Sequence, residues 1–282
     1  MKINWFPGHM RKTLKVLSEE IKNVDVVLYV LDSRAPYSCI NPSFVKIINN
    51  KPIVYVLNKA DLVDEKELKV WKDYFDSLPN STTVAVNSTA SGNKQILGAV
   101  RSILKGKIDF YLSKGAKKTF RAVILGVPNS GKSTLANNLC GKAKAVTGNR
   151  AGVTKTKQWV KVDDWIEVLD TPGTLWPSFD NQEVARHLAF IGSIKEEVLM
   201  KDDLAIDLIL WLRENNPNAL VDRYGVSLEG EGYEVLENIT NKLGFKLKGN
   251  EPDYDRAIMR VITDYKAGKL GSKILDKIED VK

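Results

Sequence analysis

Three short runs dominated by aliphatic and β-branched residues, at 24–31, 53–57 and 83–86, alternate with stretches whose apolar residues recur every three or four positions. Runs that are apolar on both faces predict strands buried on both sides of a parallel sheet. The intervening periodicity predicts helices over 10–22, where Leu14, Leu17 and Ile21 share a face, and over 42–49 and 65–77. Strands alternating with helices predict an α/β unit. Residues 104–118 are basic, carry Gly106 and Gly115, and read as a connection. A strand at 121–125 and a helix at 132–139 follow. Residues 150–157 are polar and read as a mobile loop, and short strands at 159–162 and 166–169 flank the Asp163-Asp164 turn. After Pro177 the pattern is helical only, with Leu204, Leu208, Trp211 and Leu212 on one face and Tyr254, Ala257, Ile258, Val261, Ile262 and Tyr265 on another. Turns are expected at Tyr224-Gly225-Val226 and Gly230-Glu231-Gly232. The change of pattern predicts an α/β domain over residues 1–178 and a small all-helical domain over 179–282.

Composition narrows the setting. The 282 residues suit two domains, and 43% hydrophobic content is enough for a real core. A net charge of +7 fits an anionic partner such as nucleic acid. Cys39 and Cys140 make neither a metal cluster nor a disulfide framework, so a reducing compartment is expected. The first ten residues lack the apolar core of a signal peptide, and the 24–31 run carries Asp25 and is too short to span a bilayer. A cytoplasmic location is the expectation.

Three motifs carry chemistry. The strand at 121–125 leads into Gly126-Val127-Pro128-Asn129-Ser130-Gly131-Lys132-Ser133 and then a helix, the context that a G-x-x-x-x-G-K-S phosphate loop requires. Backbone N–H groups and the helix N-terminus favour phosphate there. Pro128, Asn129, Ser130, Gly131, Lys132, Ser133 and Thr134 are expected around the phosphates, with Lys132 reaching the β- and γ-phosphates and Ser133 holding Mg²⁺. Asp170-Thr171-Pro172-Gly173 ends a strand, so Asp170 is placed near the metal and the Gly173 N–H near the γ-phosphate. Asn58-Lys59-Ala60-Asp61 ends another strand. There Asp61 would accept from guanine N1–H and the exocyclic amine, which penalises adenine, with Asn58 bracing the loop and the Lys59 stem over the ring. Ser88 and Thr89, ending the next strand, are placed near guanine O6. Thr154 is the candidate switch threonine over Mg²⁺ and the γ-phosphate, with Thr156 second and an ordinary loop hydroxyl the plain alternative.

The order of these motifs is unusual. A Ras-like GTPase runs phosphate loop, D-x-x-G, N-K-x-D; here N-K-A-D comes first. The chain therefore resembles a circularly permuted Ras-like P-loop GTPase domain followed by a helical domain. Trp5-Phe6-Pro7-Gly8-His9-Met10, Asp32-Ser33-Arg34-Ala35-Pro36, the three nucleotide motifs, Leu175-Trp176-Pro177 and the tail from Asp264 to Gly271 resemble the ribosome biogenesis GTPase A family, also called RbgA or YlqF. The resemblance covers essentially the whole chain. It implies GTP/GDP and Mg²⁺ as cofactors and a role in late assembly of the large ribosomal subunit. It also implies the subunit precursor and rRNA as partners, a monomer away from the ribosome, and no membrane or DNA partner. Ala151 stands where the family has proline, and Thr174 where it has an aliphatic residue. No water-orienting glutamine stands at Thr174, so the resemblance assigns that task to His9; a surface or capping histidine is the plain reading. Asn129 resembles the residue that lets some GTPases use K⁺, and a loop-bracing role is its alternative. Arg256, Arg260, Lys266, Lys269 and Lys273 are the candidate rRNA contacts, with Arg256 and Arg260 on one helical face and Lys269, Lys273 and Lys277 on another if the helix continues. Solvated surface cations are the alternative. Only residues 174–178 separate D-T-P-G from the helical domain, a short covalent path for a switch. A translation or RNA-modification GTPase, and a nucleotide-dependent binder with negligible hydrolysis, stay open as alternatives. An ATP-dependent kinase would need a second-substrate site that the sequence does not offer.

Overall fold

The computed structural model describes residues 3, 8–87, 92–141 and 159–281, without the side chains of residues 8, 9 and 280. The α/β part runs α1 (Gly8–Glu20), β1 (Val26–Asp32), α2 (Pro42–Ile48), β2 (Ile53–Asn58), α3 (Glu65–Asp76), β3 (Ser81–Val86), α4 (Asn93–Ile103), α5 (Lys105–Ser113), β4 (Phe120–Leu125), α6 (Lys132–Leu139), β5 (Trp159–Asp163) and β6 (Ile166–Leu169). From there the described elements are helical: α7 (Gln182–Phe190), α8 (Lys201–Asn215), α9 (Pro217–Tyr224), α10 (Gly232–Lys242) and α11 (Tyr254–Lys266). No described helix is long and apolar enough to cross a membrane.

The six strands lie in the order β3-β2-β1-β4-β6-β5, all parallel except β5, which is antiparallel to β6. The chain winds outward from β1 to β3, then returns to β4 and winds the other way. That reversal places the topological switch point between β1 and β4, where ligands bind at the carboxyl ends of the strands. β1 is buried at every position. Its side chains alternate between two cores: Val27, Tyr29 and Leu31 face one, and Val26, Leu28 and Val30 the other. The first core continues without a break into α7, α8, α10 and α11, so the helical part is packed onto one face of the sheet.

Two expectations change. Residues 105–113, read as a connection, form α5. Leu104, Ile108 and Tyr111 fall at helical spacing against the second core, and the two glycines lie where added Cβ atoms would meet nothing. Conversely, α11 stops at Lys266, so Lys269, Lys273 and Lys277 share no helical face. Gly268 takes φ of 73°, and the Lys269 N–H returns to the Asp264 carbonyl at 2.9 Å, a left-handed cap that ends the helix. The chain beyond it lies along the α/β part: Asp64 N–H donates to the Ser272 carbonyl and Ile274 N–H to the Glu67 carboxylate.

Candidate functional site

β1, β2, β4 and β6 deliver four loops to one end of the sheet. In register, Asp32 at the end of β1 faces Asn58 at the end of β2. Asn58 is buried and its Nδ2 donates to the Ser130 carbonyl at 2.7 Å, so the N-K-A-D segment is bonded to the phosphate loop across β1. Lys59, at a positive φ, does the same from its side chain: Nζ donates to the Asn129 carbonyl at 3.0 Å and to Asp32 at 2.7 Å. Asp61 follows in a single 3-10 turn and is exposed, free to meet a base.

The phosphate loop is held in shape from within. Ser130 Oγ donates to the Val127 carbonyl at 3.0 Å, and Lys132, almost fully buried, donates from Nζ to the same carbonyl at 2.7 Å. Burial lowers the Lys132 ammonium to about 8, against the pull of the neighbouring Asp170 carboxylate. Gly131 caps α6, and Ser133 and Thr134 occupy its first turn. The sequence-predicted residues 128–134 thus share one loop and one helix N-terminus.

Asp170, just past β6, sits beside them. Burial raises its pKa; Lys132 and a hydrogen bond from Ser133 pull the other way. Its Oδ1 is buried with no hydrogen-bond partner. A hydroxyl next to a carboxylate with an unpartnered buried oxygen is a donor set that suits Mg²⁺. Gly173 lies hard against the phosphate loop: a Cβ there would stand 2.6 Å from Pro128 Cα and 2.9 Å from Lys132 Nζ. Thr174 is fully buried, donates to the Pro172 carbonyl at 3.1 Å, and its own carbonyl accepts from Asn41 Nδ2 at 3.0 Å.

The helical part touches this loop directly. Asn129 Nδ2 donates to the Gly192 carbonyl at 2.6 Å, and Ser193 Oγ donates to the Pro128 carbonyl at 2.8 Å. Of the Asn129 side chain only the amide oxygen could ligate a cation such as K⁺, and the bond to Gly192 uses the amide nitrogen instead. A second bridge starts at Asp32. Arg34 grips that carboxylate with Nε at 2.9 Å and Nη2 at 2.8 Å, while its Nη1 donates to the last carbonyls of α11, Tyr265 and Lys266. Both side chains are buried, and Asp32 is lowered to about 2, the cost of burial being outweighed by Arg34 and then Lys59. The sequence marks Asp32 to Pro36 as a motif but does not show this pairing: its only local signal is an Asp at a strand end near an Arg, and the third partner, Lys59, follows the next strand.

Ser88, Thr89 and Thr154 lie outside the described residues, as does the His9 side chain, although its backbone belongs to α1. The candidate rRNA cations are mostly engaged within the chain. Arg260 and Arg223 both donate to the buried Asp264 at 2.8 Å. Lys269 lies 3.7 Å from the same carboxylate, Lys266 pairs with Glu196, Lys273 with Glu67, and Arg256 stacks on Phe245.

With this geometry in view, the comparisons are consistent. The family described as 50S ribosome-binding GTPase matches residues 121–238, which includes the phosphate loop and D-T-P-G but not the upstream N-K-A-D, as a permuted order requires. The chain is 41% identical to the ribosome biogenesis GTPase A of Bacillus licheniformis over 286 residues, all of both chains. It is 39% identical to that of Bacillus pumilus, over 99% of this chain and 100% of the other. The crystal structure of GNP-bound YlqF from T. maritima superposes with a TM-score of 0.67 at 26% identity, covering 96% of this chain and 100% of that one.

Proposed function

Because this chain belongs to the ribosome biogenesis GTPase A family, we propose that it binds and hydrolyses GTP on the precursor of the large ribosomal subunit and acts as a switch late in that subunit's assembly. Residues 1–178 are the nucleotide-binding unit and 179–282 the ribosome-binding unit. The observation that carries this reading is the pair of bonds from Asn58 and Lys59 to the phosphate-loop carbonyls, which assemble base recognition and phosphate binding into one site despite their reversed order in the chain. Lys132 gives up the Val127 carbonyl for the β- and γ-phosphates, whose charge favours its protonated form. Ser133 and Asp170 would hold Mg²⁺, which would supply positive charge against the phosphate oxygens. The Gly173 N–H would donate to the γ-phosphate. Asp61 supplies guanine selectivity. Asp61→Asn is therefore expected to favour xanthine over guanine nucleotides: the amide oxygen still accepts from N1–H, while the amide NH2 faces the guanine exocyclic amine, a donor, but can donate to the C2 carbonyl that xanthine carries there. Competition binding with XTP and GTP measures this, and an unchanged GTP preference rejects the assignment. Turnover with and without immature large subunits tests the reaction, and sucrose gradients of depleted cells test the assembly role.

The switch has two candidate routes: the five residues after Gly173, and the direct bonds from Asn129 and Ser193. The second is the shorter, and it touches the loop that senses the phosphates. The GTP form is expected to bind immature subunits at least about fivefold more tightly than the GDP form, within the usual range of coupling. Asn129→Ala with Ser193→Ala should bring that ratio toward one. A Gly/Ser insertion after Pro177 should leave it intact; a ratio lost on insertion but kept in the double variant would assign the switch to the covalent path.

A further inference from the structure

The end of the sheet opposite the nucleotide site carries a cleft of about 650 Å³ between α4, α5, the start of β4 and the β5–β6 turn. It is separated from the phosphate loop by the length of β4, roughly 20 Å at the rise of a strand. Tyr111, Phe120 and Trp165 form its aromatic lining; Arg101, Lys117 and Lys118 stand around them. The Arg101 guanidinium lies 4.6 Å from the Trp165 ring centroid, and Lys118 Nζ lies 4.8 Å from Tyr111 and 5.1 Å from Phe120. Nothing in the nucleotide mechanism uses these residues.

Charge identifies the occupant. Residues 101–121 hold seven basic side chains and one acidic one, Asp109. Lys105 pairs with Asp109, Lys107 and Lys118 with Asp25, and Arg121 with Glu167. Asp164 on the rim is matched by Lys161. Among the described residues, no carboxylate pairs with Arg101, Lys114 or Lys117, and Phe110 and Leu112 beside them are 55% and 66% exposed. Unpaired cations around exposed and half-buried rings are the combination that binds single-stranded nucleic acid. The cations meet phosphates, and an unstacked base continues a stack begun by an aromatic ring and a guanidinium plane. A purely apolar peptide would leave the cations without partners, and a duplex offers no free base.

We propose that this cleft binds an unpaired, single-stranded segment of rRNA, a second RNA contact on the nucleotide-binding unit and distinct from the helical tail. The proposal rests on the ribosome-assembly reading for the source of the RNA but not for its chemistry. The test measures binding of a fluorescein-labelled single-stranded oligoribonucleotide, and of immature large subunits, as a function of salt. Arg101→Glu with Lys117→Glu should weaken both about tenfold or more and reduce the salt slope by about one per lost phosphate contact. Hydrolysis of GTP without subunits should stay unchanged. Trp165→Ala should weaken oligoribonucleotide binding about fivefold or more, and Trp165→Phe should restore it. Thermal melting of each variant separates misfolding from loss of the contact, and the surface double variant is expected to fold. Unchanged oligoribonucleotide binding in the double variant overturns the proposal. If subunit binding alone falls, the cleft docks a ribosomal protein and the RNA assignment is wrong. A wild-type chain that binds the oligoribonucleotide through the cleft but ignores subunits would sink the assembly reading and leave the cleft standing.

Discussion

Arg34→Ala is expected to destabilise the fold by about 3–5 kcal/mol, the usual cost of removing one partner of a buried ion pair. Asp32 is 1% exposed and would keep the backbone N–H of residue 34 and, as its one charged partner among the described residues, Lys59, itself partly solvated. The same change strips Nη1 from the Tyr265 and Lys266 carbonyls, so the helical part loosens from the sheet as well. Arg34→Lys keeps the charge but not the two-pronged fork, and should recover only part of the loss. Urea unfolding at pH 7 measures both, and a loss below about 1 kcal/mol for Arg34→Ala would show that the cluster is dispensable. The pH dependence follows from the same carboxylate. Its pKa falls from 3.8 to about 2 on folding, so it contributes about 2.5 kcal/mol at neutral pH. That contribution is present above the unfolded value and is lost as pH drops from about 4 through about 2. The stability gap between wild type and Asp32→Asn should therefore shrink across that window.

Gly173→Ala should reduce GTP turnover about a hundredfold or more while GDP affinity changes only a few-fold. The added methyl meets Pro128 Cα at 2.6 Å and Pro128 N at 2.8 Å, backbone atoms that cannot swing aside as a side-chain tip would. Either D-T-P-G withdraws from the phosphates or the loop bends, and a displacement of about 1 Å is enough for a loss of that order. On the proposed reading GDP binding rests on the Asn58–Asp61 segment and the backbone N–H groups at the α6 N-terminus; of α6 the methyl meets only the tip of the Lys132 side chain. Single-turnover hydrolysis beside fluorescent GDP titration separates the two effects. Turnover within about threefold of wild type would mean that Gly173 need not approach the γ-phosphate.

The chemistry of the site was legible because each nucleotide motif is local. Gly126–Ser133, Asp170–Gly173 and Asn58–Asp61 each combine a strand end with a few contiguous side chains, and their identity and order need no knowledge of contacts between distant segments. The buried strands were legible for the same reason: six consecutive apolar positions in β1, Val26 to Leu31, leave no polar face to turn outward. Helix α5 was missed because Gly106 and a density of lysines obscured the Leu104, Ile108, Tyr111 spacing, and burial against the sheet overrides weak local propensity. The long-range polar bonds were not legible at all. Arg34 meets carbonyls more than two hundred residues later, Asn129 meets Gly192, and of the tail lysines expected on one helical face, which follow the end of α11, Lys273 pairs with Glu67 of α3. Sequence by itself determined which nucleotide chemistry this chain carries and in what order, because each motif is a few contiguous residues at one strand end. Only the tertiary structure decided how the helical part grips the phosphate loop and which cations, among the described residues, are left without a carboxylate partner. Those outcomes depend on which buried donor finds which acceptor once the cores have closed, and side-chain identity alone does not specify that pairing.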